Sequence, residues 1–173
     1  MTTTPTSTAQ AGSRPKFAVR TVRAVDEAAW RELWHSFCTF YSVDIPAAVT
    51  ASTWSRLLDE ASPVNGYVAE LDDKVVGFAN CVLHPYTWGA NPVCYLEDLY
   101  VDPSVRGSGV GLALMEHLVE LAAVNGWARI YWHTDRENTP ARRLYDQLGP
   151  ADEIVRYTLV ANEEHPPRSG PAL

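Results

Sequence analysis

The chain has 173 residues, 46% of them hydrophobic, which is enough apolar material for one folded domain with its own core. It has no uncharged apolar run of about 18 residues, and its start lacks the basic segment followed by an apolar segment that is typical of a secretory signal. We therefore expect a soluble, cytoplasmic protein without a membrane partner. The formal net charge of −7 opposes non-specific binding to nucleic acid, and we expect no nucleic-acid partner.

The cysteines indicate neither a disulfide framework nor a metal centre. Cys38, Cys81 and Cys94 are odd in number and lie in apolar segments, which is typical of buried, reduced thiols. No histidine and cysteine group has the spacing of a zinc site, so we expect no metal.

Both ends of the chain are predicted to lie outside the folded unit. Residues 1–16 are rich in Thr, Ser, Pro and Gly, and residues 162–173 contain the run His-Pro-Pro-Arg. Such segments bury too little apolar surface to fold, so we predict two disordered tails around one domain of residues 17–161.

The first elements of this domain are a strand and two helices. Residues 17–22 alternate apolar and polar side chains, which predicts a strand. Asp26 is placed to cap a following helix, and a second helix is predicted after Pro46. The apolar positions recur every three or four residues and are Trp30, Leu33, Trp34, Phe37 and Cys38 in the first helix and Trp54, Leu57 and Leu58 in the second.

A hairpin, a loop and a distorted strand follow. Residues 66–71 and 74–83 read as a hairpin about Asp72-Asp73, and residues 84–92 as a loop facing the substrate. In the next strand, residues 95–101, the side chains of Leu96, Leu99 and Val101 can share one face only if an extra residue is inserted near Glu97-Asp98. The spacing therefore predicts a β-bulge, which would free backbone groups from pairing.

The glycine-rich turn Arg106-Gly107-Ser108-Gly109-Val110-Gly111 connects this strand to an apolar-periodic helix over residues 110–125. Unpaired N–H groups at such a helix start, together with the positive end of the helix dipole, predict a phosphate cradle. A P-loop would end in Gly-Lys-Ser/Thr, and a dinucleotide fingerprint would place its third glycine where Leu112 stands, so both are excluded.

The last elements complete an α/β pattern. The helix over residues 110–125 buries Leu114, Leu118 and Leu121, and residues 128–133 form the next strand. Thr139 is predicted to cap a helix whose inner face carries Tyr145, and residues 154–160 to form a final strand. We expect a mixed sheet, antiparallel in its N-terminal part and parallel across a pair of strands that the bulge separates, flanked by helices.

The motif Arg-x-x-Gly-x-Gly at 106–111, preceded by Leu96-Glu97-Asp98-Leu99-Tyr100-Val101 and followed by Asn138 and Tyr145, resembles the GNAT superfamily of acyl-CoA-dependent N-acetyltransferases. The Glu97-Asp98 pair is similar to that of the polyamine/histone-type branch, spermidine/spermine enzymes included. The resemblance implies acetyl-CoA as co-substrate, direct transfer to a primary amine in a ternary complex, and a possible homodimer. Gly149-Pro150 departs from the family's Gly-aromatic pair, which puts the path into the last strand in doubt.

The resemblance also assigns roles to site residues. Tyr145 would protonate the departing CoA sulfur, and Glu97 would take the proton of the amine, directly or through a water. The alternative for Tyr145 is a tyrosine of the core. The alternative for Glu97 and Asp98 is a pair that only orients the substrate. The remaining cofactor contacts would come from Leu99, Tyr100, Val101, Arg106, Gly107, Ser108, Gly109, Val110, Gly111 and Asn138.

Several of these positions have a second interpretation from the residues alone. Asn138 is also typical of a turn, and Arg106 of a solvated surface. His84 and His133 are alternative bases by their ordinary pKa, whereas Cys94 is better explained by packing than as an acyl carrier.

The acceptor is expected to contact the first two helices and the loop before the bulged strand. Tyr41, Asp44, Tyr86 and Trp88 lie there and could hold an amine by cation–π and charge contacts, with Asp98 beside them. We expect a small molecule (a polyamine, an amino acid or an amine antibiotic), and a protein lysine or N-terminus is the alternative. A non-catalytic acyl-CoA-binding regulatory module and a nucleotide-binding module are the rivals from other classes.

Overall fold

Five strands form one sheet in the computed structural model, which describes residues 17–159. The predicted tails, residues 1–16 and 162–173, lie outside the described residues. The strands, in sheet order, are β1 (Ala18–Thr21), β2 (Val64–Leu71), β3 (Lys74–His84), β4 (Val93–Val101) and β5 (Ile130–Trp132). Neighbours from β1 to β4 are antiparallel, and β4 and β5 are parallel. The predicted mixed sheet is confirmed.

The hairpin between β2 and β3 forms where the sequence predicts it. Asp72 and Asp73 have φ angles of 50° and 59°, which matches the two left-handed positions of a tight hairpin turn. This turn sets the register of β2 with β3.

Helices cover both faces of the sheet. They are α1 (Glu27–Phe40), α2 (Ala47–Leu58), α3 (Val110–Asn125) and α4 (Thr139–Tyr145). On one face α1 and α2 bury an aromatic cluster, in which the Trp30 ring lies 5.3 Å from Trp34 and 5.1 Å from Trp54. On the other face α3 buries Leu114 and Leu118, as predicted, and α4 packs at the edge of the same cluster.

The predicted bulge in β4 is present. Asn80 of β3 pairs with Asp98 and the next residue, Cys81, pairs with Leu96, so Glu97 is the extra residue. On either side of it, Leu96 and Leu99 therefore face the same α3 cluster, and Val101 does as well.

Two predicted helix caps are wrong. The Asp26 carboxylate does not cap α1; it accepts hydrogen bonds from the Arg23 N–H, at 2.7 Å, and from the Arg20 guanidinium, at 2.7 and 2.8 Å. This ion pair lowers the pKa of Asp26. The cap of α4 is Asn138 rather than Thr139, because Asn138 Oδ1 accepts the Ala141 N–H at 3.3 Å.

The predicted final strand is also wrong over its described part, since residues 154–159 have no strand structure. Ile154, Val155, Tyr157 and Leu159 are between 72% and 97% exposed. Alternating apolar residues make a strand only where a neighbouring edge supplies hydrogen bonds and a surface to cover, and this segment packs against neither.

The core position Leu118 gives a test of this packing. Leu118→Ala removes a fully buried side chain from α3 and should lower the free energy of unfolding by about 2–5 kcal/mol. Val124→Ala, on the same helix but 84% exposed, should change it by about 0.5 kcal/mol or less. Urea unfolding followed by circular dichroism measures both, and equal losses would contradict the burial pattern.

Candidate active site

The glycine-rich turn has the geometry of an anion cradle. Gly107 and Gly109 have φ angles of 79° and 105°, a region that L side chains rarely adopt. Helix α3 begins at Val110, and the Ala113 N–H makes the first helical bond, to Gly109 O at 2.9 Å. The N–H groups of the residues before Ala113 have no carbonyl within the helix, so they can bind an anion.

Gly111 permits a close approach between helices. A Cβ built at this position would lie 3.0 Å from the Leu144 side chain and 3.8 Å from that of Val101. Its absence lets α4 pack directly over the start of α3.

Arg106 is exposed, yet its side chain is fixed. Its Nε–H donates to Val101 O at 3.0 Å, and its guanidinium lies 5.2 Å from the Tyr100 ring centre and 5.8 Å from that of Phe40. The side chain ties the turn to the end of β4 and places a positive charge beside the cradle.

A cavity of about 460 Å³ opens on this cradle. Of the ten residues predicted to contact the cofactor, only Ser108 is not part of its lining; the Ser108 hydroxyl donates to Val105 O at 2.5 Å instead. Asn138 lines the cavity and also caps α4, so its turn interpretation is confirmed and its contact with the cofactor stays a prediction.

Several side chains that line this cavity were not predicted from the sequence. The polar ones are Arg143 and Gln147, in and just after α4. Together with Pro140 they recur at intervals of three and four residues. That helical period marks one face of α4 and could have identified them.

A second, small cavity of about 30 Å³ lies where β4 and β5 separate. Pairing between the two strands ends at Leu96 and Trp132, just before the bulge. Glu97, His133 and Tyr145 all line this cavity. The side chains shared by both cavities are Phe37, Tyr41, Leu99 and Tyr145, so the two spaces meet at Tyr145.

Tyr145 is held as a neutral phenol. Burial and, to a smaller extent, the nearby Tyr41 together raise its pKa to about 12. Its ring packs 5.2 Å from that of Trp132. The hydroxyl therefore keeps its proton at neutral pH and can donate it at the junction of the cavities.

Glu97 and His133 both line the small cavity and interact electrostatically. Burial lowers the pKa of His133, the positive charge of Arg156 lowers it further, and the carboxylate of Glu97 acts in the opposite direction. The His133 Nδ1 lies 3.2 Å from Tyr95 Oη. His133 is thus predominantly neutral at pH 7.

The predicted acceptor residues are separated by the fold. Tyr41 lines both cavities. Trp88 is 87% exposed on the loop after β3, against Tyr86, and is not among the lining of either cavity. Asp98 is buried on the α1 face, where the Asn80 amide donates to it at 3.2 Å.

The remaining candidates have structural partners. His84 Nε2 lies 2.8 Å from Tyr131 Oη, and Cys94 is buried beside Cys81. Within residues 17–159 no group of three His, Cys, Asp or Glu side chains could hold a metal ion. No helix in that range is long and apolar enough to cross a bilayer.

The sequence is similar to known acetyltransferases. The profile of the acetyltransferase (GNAT) family matches residues 28–149. The D-amino-acid N-acetyltransferase of Saccharomyces cerevisiae is 32% identical over 145 residues, which cover 82% of this chain and 89% of the yeast protein. The thialysine N-epsilon-acetyltransferase of Caenorhabditis elegans is 31% identical over 89 residues, covering 51% of this chain and 55% of the relative.

Solved structures share the fold. A probable acetyltransferase superimposes with a TM-score of 0.75 at 20% identity, covering 85% of this chain and 99% of the other. An aminoglycoside acetyltransferase from an uncultured soil metagenomic sample gives a TM-score of 0.72 at 18% identity, covering 84% of this chain and 97% of the other. At these identities the likeness establishes the architecture described above.

The electrostatic effect of Glu97 on His133 predicts a direction of change. Glu97→Gln removes the negative charge that raises the His133 pKa, so this pKa should fall further below its usual value. An NMR titration of the histidine rings measures the change, with His133→Gln used to assign the signal. Glu116→Gln, on the exposed face of α3, is the matched control and should leave the titration unchanged. An upward shift in Glu97→Gln would contradict the placement of the carboxylate.

Proposed function

The chain belongs to the acetyltransferase (GNAT) family and is an acyl-CoA-dependent N-acetyltransferase, and on this premise we propose that it acetylates the primary amine of a small molecule in a ternary complex. The observation that carries the proposal is the junction at Tyr145. One cavity runs from this side chain to an anion cradle, and the other runs from it to Glu97.

The large cavity has the groups that acetyl-CoA requires. The N–H groups at the start of α3 and the Arg106 guanidinium would hold the diphosphate, and Asn138 and Arg143 lie across the cavity from them. Pairing between β4 and β5 ends before the bulge, so residues 99–101 of β4 do not pair with β5. Their backbone N–H groups on that edge would hydrogen-bond the pantetheine amides and the thioester carbonyl. The bound thioester supplies the acetyl group.

Glu97 is the proposed proton acceptor for the amine. An alkylamine has a pKa of about 10 and is mostly charged at neutral pH, so it must lose a proton before it can attack. The bulge turns Glu97 into the small cavity, where its carboxylate can take this proton directly or through a water. A bond then forms between the amine nitrogen and the acyl carbon as the carbon–sulfur bond breaks. The nitrogen loses its second proton to become an amide, and this proton balances the one given to the sulfur.

Tyr145 is the proposed donor to the departing sulfur. Its raised pKa keeps the hydroxyl hydrogen in place until negative charge develops on the sulfur, which then takes the proton. The position between the two cavities supports this role, since the acyl donor and the amine must meet there.

A small acceptor is supported by the relatives and by the size of the inner cavity. Relatives are named as acetyltransferases of D-amino acids, thialysine and glucosamine 6-phosphate, all of them small amines. Tyr41 lines both cavities and is proposed to contact the acceptor, whereas the exposed Trp88 and the buried Asp98 line neither cavity. A polyamine, as for the polyamine/histone-type branch, or an amine antibiotic belongs to the same class, and a protein amine is the alternative.

The role of Tyr145 predicts a selective loss of turnover. Tyr145→Phe should lower kcat about 100-fold or more while the Kd for acetyl-CoA stays within about twofold. Tyr67→Phe removes another buried phenol, on the α3 face away from both cavities, and should leave kcat unchanged. Thiol release and calorimetric titration measure the two quantities, and an unchanged kcat in Tyr145→Phe would overturn the donor role.

The cradle predicts a loss of cofactor affinity. Gly109→Ala places an L side chain at a φ of 105°, which costs about 1–3 kcal/mol or distorts the turn, so acetyl-CoA should bind about tenfold more weakly. Gly149→Ala is the control, because a Cβ at Gly149 meets nothing within 4 Å and the backbone there has no positive φ. Calorimetric titration compares both variants with the parent chain. Equal affinity in all three would show that the turn does not hold the cofactor.

A further inference from the structure

Three tyrosine rings form a strip on the sheet face that carries α1, and we call Tyr86, Tyr95 and Tyr131 the tyrosine strip. Tyr95 of β4 and Tyr131 of β5 pair in register, and their ring centres lie 5.0 Å apart. His84 packs edge-on against Tyr131 at 5.9 Å and shares a hydrogen bond with its hydroxyl. The three side chains are half-buried, so part of each ring remains accessible.

The strip leads into the small cavity. His133 lies 5.5 Å from the Tyr95 ring and 6.2 Å from the Tyr131 ring, and it lines the cavity together with Glu97. One continuous surface therefore runs from the loop after β3, which carries Tyr86, to the carboxylate beside Tyr145.

The two ends of this surface carry opposite charges. The exposed Arg129 guanidinium is held between two rings of the strip, 4.9 Å from the Tyr86 centre and 5.3 Å from the Tyr131 centre. Within the described residues it forms no ion pair or hydrogen bond. Its donors are thus fixed in place and available, whereas the Glu97 carboxylate lies at the inner end.

Building on the proposed function, we propose that the acceptor is an ω-amino carboxylate, with its amine in the small cavity at Glu97 and its carboxylate on Arg129. The apolar chain between them lies across Tyr95 and Tyr131. Aromatic faces suit such a chain, and a planar guanidinium suits a carboxylate.

The spacing sets the length of the acceptor. Ile130 pairs with Cys94 in parallel register, so Arg129 lies level with Val93, four residues before Glu97. At about 3.3 Å per residue, this offset along the strands is about 13 Å. Hydrogen bonds of about 3 Å at each end leave about 7 Å for the acceptor, which a chain of roughly five or six bonds of about 1.5 Å can span. A diamine of that length would place its second cation against Arg129, so the same geometry disfavours it.

Three acceptors of matched length test the proposal: 6-aminohexanoate, hexylamine and 1,6-diaminohexane. We expect kcat/KM, measured by thiol release from acetyl-CoA, to be about three- to tenfold higher for 6-aminohexanoate than for hexylamine, and lowest for the diamine. In Arg129→Gln the ratio between the first two should fall to about one, and Arg129→Lys should restore part of it. Arg56→Gln, which removes an exposed arginine of α2, is the control and should keep the parental ratio.

The outcomes separate this proposal from the one it rests on. If the parent protein acetylates hexylamine or the diamine at least as well as 6-aminohexanoate, or if Arg129→Gln keeps the preference, the ω-amino carboxylate is wrong and the acetyltransferase assignment to small amines stands. If none of the three amines, nor a panel of polyamines, amino acids and aminoglycosides, releases CoA while calorimetry shows acetyl-CoA bound, both proposals fail. Thermal melts of each variant confirm that it is folded.

Discussion

The single residue inserted into β4 at Glu97 is the constraint on which the site depends. Because side chains alternate along a strand, the insertion exchanges the two faces of β4, so that Leu96 before it and Leu99 after it pack on the same core. Pairing with β5 stops at Leu96, and the gap that opens becomes the small cavity. The same residue that causes the gap places its carboxylate there.

The two halves of the proposed site use different groups: backbone N–H groups in one and side chains in the other. On the proposed cofactor side, the turn before α3 offers backbone N–H groups, and side chains such as Arg106 hold the turn in place. On the proposed acceptor side, the surface consists of side chains from β4, β5 and the loop after β3. Tyr145 belongs to both because α4 packs over Gly111 and carries the phenol to the point where the cavities meet.

Sequence patterns correctly predicted the features that depend only on residues near one another in the chain. The glycine turn, the faces of α1 and α3 and the bulge follow from spacings within a few residues, and each is confirmed by the structure. The strand expected over residues 154–160 failed because alternation says nothing about whether a partner edge is in reach. The cap expected at Asp26 failed because a distant residue on β1, Arg20, takes its carboxylate.

The tyrosine strip is invisible in the sequence for a related reason. Tyr95 and Tyr131 are 36 positions apart in the printed sequence, and only the parallel register of β4 with β5 brings them together. The position of Arg129 between the rings of Tyr86 and Tyr131 likewise depends on the fold and cannot be inferred from the sequence. Sequence reasoning thus identified the residues around the glycine turn and the bulge, whereas the outer acceptor surface required the three-dimensional pairing.

The backbone character of the cradle has a consequence for how this sequence can change. An N–H group is present at every position except proline, so replacing the side chains of Ser108 or Leu112 leaves the anion donors in place. What the turn requires is a shape: two residues with positive φ at Gly107 and Gly109, and no Cβ at Gly111. The acceptor surface has no such protection, because each of its contacts disappears with the side chain that makes it. If the proposed surfaces hold the two substrates, single mutations can alter the choice of amine while the acyl donor stays the same.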